Sequence, residues 1–161
     1  MVSSSSLIEF LSEKTGYRKH SLARIGVDLR KSGVIDSTGR GRNAAGITLK
    51  NAADIILAML GANHPREASD AVNRLNHLTD DEGTKLVCFF VGILEQHRRQ
   101  FCIDCIEYSH KHDTITIFSS RSSNSTQIKY VFKPKTYDRV SFDIVTRIAG
   151  CFLRDLLGYI E

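Results

Sequence analysis

Apolar residues recur at helical spacing through the first 97 residues and at strand spacing from residue 101 to about 133. Leu7, Ile8, Phe10 and Leu11 predict a first helix from Leu7 to Lys14, capped by Ser6 or Ser5 and ended by Gly16. A second helix is predicted from Lys19 to Lys31, with Leu22, Ile25, Val27 and Leu29 making its apolar contacts. A third begins near Leu49, with Asn51 as its cap. It carries Ala53, Ile55, Ile56, Met59 and Leu60 to Gly61. After Asn63-His64-Pro65 come a helix from Glu67 to Asn76, the polar link Thr79 to Glu82, and a strongly apolar helix from Thr84 to His97.

From Phe101 the period shifts towards two. Strands are expected over 101–108, from Thr114 to Phe118 and from Gln127 to Lys133, where Pro134 stops the pairing. His110-Lys111-His112-Asp113 falls where the first two strands must turn, and Arg121 to Ser125 is a second turn. The last segment, Ser141 to Ile160, has Ile144, Val145, Ile148, Phe152, Leu156 and Tyr159 at helical spacing and predicts a C-terminal helix. The expected class is α+β: helices on a small antiparallel β-meander. The division is into an N-terminal unit, 1–62, and a second unit, 66–161.

Between the second and third helices lies Gly39-Arg40-Gly41-Arg42-Asn43. Arginines set between glycines suit a loop that approaches another surface closely, because glycine frees the backbone and the guanidinium supplies fork-shaped donors. Gly46-Ile47-Thr48-Leu49 is the expected return strand of such a loop. Charge strengthens the picture. Nine Lys/Arg against five Asp/Glu fall in residues 1–60, and the remaining 101 residues balance at 13 each, so the net charge of +4 sits where the loop is. That localisation is the electrostatic footprint of a nucleic-acid reader.

Leu11 to Gly16, Leu29 to Ile35 and the Gly39-to-Asn43 loop together resemble the winged-helix DNA-binding domains of small bacterial regulators and phage or prophage proteins, MerR-type modules among them. The resemblance covers about the first third of the chain. It implies an N-terminal winged helix-turn-helix with the loop as its wing on phosphate or in the minor groove. The basic side of the preceding helix would then enter a groove. The implied DNA-binding residues are Arg18, Lys19, His20, Arg24, Arg30, Lys31, Arg40, Arg42 and Asn43. The function expected is that of a sequence-specific binder of double-stranded DNA, a bacterial or phage transcriptional regulator. The alternative is a phage-encoded interaction module that binds and inhibits a host protein through its basic face.

Enzyme chemistry finds little support. Cys102-Ile103-Asp104-Cys105 invites a zinc or redox reading. On a regular strand, however, the two thiols point to opposite faces, so they and Cys88 read as structural. His110 to Asp113 reads as a solvated hairpin loop rather than a general base or metal site. The serines lie in no nucleophile elbow, and the glycine loop lacks the phosphate-loop Lys-Ser/Thr. Neither a metal, a cofactor nor an active site is expected. The start of the chain has no signal-peptide pattern, and Leu86 to Leu94 is far shorter than the roughly 20 residues of a membrane span. The expected location is the cytoplasm, with reduced cysteines. Phe89, Phe90, Ile93, Leu94, Ile148, Phe152, Leu156 and Tyr159 exceed what a small sheet covers, which predicts a homodimer through residues 66–161.

Overall fold

The computed structural model describes residues 3–36, 47–96, 101–121, 127–132 and 145–149, together with Leu156 and Tyr159. It is a mixed α+β fold in which helices lie against one face of an antiparallel sheet. The elements are α1 (Ser4–Thr15), α2 (Lys19–Lys31), α3 (Leu49–Gly61), a 3-10 turn (Pro65–Glu67), α4 (Ala68–Leu75), α5 (Leu86–Gln96), β1 (Phe101–Ser109), β2 (Thr114–Arg121), β3 (Gln127–Phe132) and β4 (Val145–Ala149).

Local chemistry explains the helix limits. Ser3 caps α1 by accepting the Ser6 N–H at 3.1 Å, and Gly16 closes it in the left-handed region, φ 72°, with its N–H on Ser12 O. Thr48 Oγ1 accepts the Asn51 N–H at 3.1 Å. That cap starts α3 at Leu49, so Thr48 and Leu49 belong to a helix start and not to the return strand expected over 46–49. Asn51, expected as the cap, is already in the first turn.

The helix α3 is the centre of the molecule. Every residue from Ala52 to Gly61 is buried, which is the condition of a helix covered on all sides. The covering elements are α2, α4, α5 and the edge strand β4. At its end, a Cβ on Gly61 would lie 2.7 Å from Leu75 Cδ1 and 3.4 Å from Ala71 Cβ, so a hydrogen there lets α4 approach closely. A single apolar cluster runs from Leu7 and Leu11 through α3 to Phe90, Tyr108, Ile117 and Leu156. It crosses His64–Pro65 without interruption, because α3 on one side of that point packs on α4 and α5 on the other.

The sheet order is β3-β2-β1-β4, with every neighbouring pair antiparallel. Ile106 and Tyr108 of β1 and Ile115 and Ile117 of β2 are buried against the helices. The meander β1-β2-β3 follows the expected strands closely. The C-terminal segment does not. Residues 145–149 pair with β1, Val145 opposite Ser109 and Ala149 opposite Cys105, so this stretch is a strand and not the first part of a helix from Ser141. Val145, Thr146 and Ile148 are β-branched, and the edge of β1 offers a backbone ladder that helical spacing in the sequence does not reveal. Leu156 and Tyr159 beyond it are helical.

Several residues that suggested a dimer are accounted for within the chain. Phe90 and Leu156 are fully buried, Phe89 packs against the same core, and Tyr159 stacks on Phe10 of α1 at 4.4 Å between ring centroids. The side chains of Ile93, Leu94, Ile148 and Phe152 lie outside the described residues.

Candidate nucleic-acid interface

Two helical stripes divide the work of α2. Leu22, Ile25, Gly26 and Leu29 are buried. His20, Arg24, Val27 and Lys31 recur every three or four residues on the opposite side and are exposed. Val27 therefore does not make the core contact expected of it: at 43% exposed it sits in the middle of the basic stripe. Arg18 and Lys19 at the helix start are exposed as well. Six of the nine predicted DNA-binding residues thus lie on or beside one helix. Arg40, Arg42 and Asn43 lie outside the described residues.

The six are not equivalent. Lys19 Nζ meets Glu9 of α1 at 2.6 Å, and that contact holds the Glu9 carboxyl below the usual range. Arg30 is half-buried. Its terminal nitrogens would lie 3.7 Å from a Cβ on Gly26, so the guanidinium folds back along α2 beside Ile8. Arg18, His20, Arg24 and Lys31 make up the outward-facing set.

The start of α2 is electrostatically unusual. Its first turn holds no acidic residue, and Arg18, the N-cap, makes no side-chain cap. Helix N-termini carry partial positive charge and normally attract Asp, Glu, Ser or Thr. Here Arg18, Lys19 and His20 add positive charge to a positive pole, an arrangement that costs folding stability and favours an approaching anion.

Both ends of α2 are held in place. Tyr17, just before it, donates its hydroxyl to Met59 O of α3 at 3.2 Å. Towards the other end, Asp28 Oδ2 accepts the Ser69 N–H at 2.9 Å, capping α4 from outside, since Glu67 makes no side-chain cap there. Gly33, at φ 75°, turns the chain out of α2, and the Ile35 N–H returns to Leu29 O at 3.1 Å. The basic stripe is therefore displayed on a rigid element.

The other candidate chemistry resolves into structure. His110 to Asp113 is the β1–β2 turn, as expected, with Asp113 at φ 48°. Asp113 is not simply solvated. Its Oδ1 accepts from Arg74 Nε at 2.8 Å and from the Tyr108 hydroxyl in a short hydrogen bond. Arg74 Nη2 also reaches Gly61 O at 3.0 Å and Tyr108 Oη at 3.2 Å. This cluster ties α3, α4 and the sheet together. Burial is the main cause that pushes the Tyr108 phenol up to about 12, so it is no acid or base at neutral pH. A pattern search does not find this cluster, because the partners of Arg74, namely Gly61, Tyr108 and Asp113, lie 13, 34 and 39 residues away.

The cysteine pair needs one amendment. A bulge between Ile103 and Cys105 breaks the alternation on which the opposite-face argument rests. Cys102 and Cys105 fall opposite Ser120 and Phe118, two residues apart on β2. Among the described residues no group of three or more His, Cys, Asp or Glu could hold a metal, Cys88 and Cys105 carry no disulfide, and no helix is long and apolar enough to cross a membrane. The chain matches no family model, no curated protein and no solved structure.

Proposed function

We propose that the chain is a DNA-binding protein of the transcription-regulator kind, with α2 lying in or along a groove and the Gly39–Asn43 loop resting on the adjacent backbone. The observation that carries this reading is the exposed stripe His20, Arg24, Val27 and Lys31, continued by Arg18 at a helix start without acidic residues. An α-helix fits the major groove, and cations along it neutralise phosphate while fixing register.

The test uses the full chain and fluorescence anisotropy on labelled duplex DNA. Arg24→Ala and Lys31→Ala, singly and together, are expected to weaken binding while leaving the unfolding free energy within about 0.5 kcal/mol, since both side chains are exposed. Unchanged affinity in the double variant would reject α2 as the reading element. Binding to an acidic protein with none to DNA would instead favour the host-protein alternative.

A further inference from the structure

Asp54 sits in the middle of the most buried helix, and nothing in the DNA-binding reading uses it. Its side chain is fully buried. Oδ2 accepts from Lys50 Nζ at 2.8 Å, one turn back on α3, with the lysine itself largely exposed. Oδ1 has no hydrogen-bond partner. Asn76, just past the end of α4, lies near enough for its side chain to favour the ionised carboxyl, by less than burial disfavours it. A fully buried carboxyl with one oxygen unmatched is costly as the ionised aspartate.

One proton removes the buried charge. We propose that Asp54 is the neutral acid in the native protein, so that folding takes up a proton at this site. Oδ2 keeps its bond from Lys50. The surroundings favour this state. Leu22 and Ile25 of α2, Val72 and Leu75 of α4, and Leu86 and Phe90 of α5 form the apolar cluster around α3. Among the described residues, the groups that bear on the Asp54 charge are Lys50 and Asn76. Burial raises the affinity of this carboxyl for its proton by more than those two lower it. With Asp54 neutral, Lys50 remains an uncompensated surface cation at the start of α3.

The sign of the pH dependence follows. A native value above the unfolded one gives a contribution that is complete below about 4 and is lost as pH rises through the native value. Asp54→Asn copies the neutral acid in size and charge, and its oxygen can still accept from Lys50. Urea unfolding of the full chain from pH 4 to 9 is the experiment. The unfolding equilibrium constant of the wild type, divided by that of the variant, is expected to rise with pH by up to tenfold per unit. A ratio that stays flat or falls overturns the proposal, because Asp54 is then ionised and paired with Lys50. If the variant does not fold, the Asp54 carboxyl carbon resonance of the wild type decides. A midpoint above the ordinary aspartate value supports the buried proton, and one at or below it refutes it.

Discussion

Replacing Tyr108 with Phe removes one oxygen from the point where the helices and the sheet are joined. Tyr108 is fully buried, and its ring packs unchanged in the variant, so no cavity contributes. What is lost is the hydroxyl that donates to Asp113 and accepts from Arg74. Hydrogen bonds to charged groups are worth about 1.5–3 kcal/mol. The Arg74 and Asp113 side chains are 43% and 32% exposed, so water refills part of what the hydroxyl supplied. The lower end of the range is therefore expected, about 1.5–2 kcal/mol, after that discount. For a chain of this length the melting midpoint should fall by about 3–8 °C. Asp113 stands at φ 48° in the β1–β2 turn, a left-handed conformation that Asp tolerates better than most L-residues. Thermal and urea unfolding of Tyr108→Phe, Arg74→Met and the double variant measure both the loss and the coupling, which for members of one network is about 0.5–3 kcal/mol. A loss under about 0.5 kcal/mol, or strictly additive variants, would refute the cluster as the joint. The wild type should also lose stability above pH 10, through the native Tyr108 value of about 12, because a phenol held protonated by folding stabilises only below its unfolded value. Tyr108→Phe should lack that alkaline limb.

Two further outcomes test the packing that positions α2. Gly61→Val should destabilise by about 1–3 kcal/mol in urea unfolding, because its Cβ meets the buried Leu75 at 2.7 Å and Ala71 at 3.4 Å; no loss would mean α4 moves away freely. Asp28→Ala removes the acceptor for Ser69 N–H and should cost about 1 kcal/mol, with faster amide exchange at Ser69, and unchanged exchange would show that α4 is capped by something else.

The helices and the meander were legible in the sequence because their apolar spacing and turn residues are local. The bounds of Lys19 to Lys31 are legible from a basic end, a glycine turn and one apolar stripe. The third helix was found, but its total burial was not, since that depends on α4, α5 and β4 closing over it. The strand at 145–149 was misread because its apolar residues fit a helix equally well and the deciding partner, β1, lies about 40 residues earlier. Hydrophobicity alone points Val27 inward, whereas its phase matches the exposed His20, Arg24 and Lys31. The bulge in β1 was invisible for a similar reason, because no glycine or proline marks it. Asp54 did carry a signal, an acid inside an apolar run with a lysine four residues before it. Its complete burial is brought about only by the fold.

The central claim, that the basic stripe of α2 meets DNA, is tested most directly by the salt dependence of affinity. Binding of the full chain to a labelled duplex, measured by anisotropy from about 50 to 300 mM salt, should fall linearly on a double-logarithmic plot. Each phosphate neutralised should add about 0.9 to the slope. Lys31→Ala, and Arg40→Ala with Arg42→Ala in the loop, should each lower that slope by about one unit per lost contact. An absence of binding at 50 mM salt, or an affinity indifferent to salt and to these substitutions, would contradict the account.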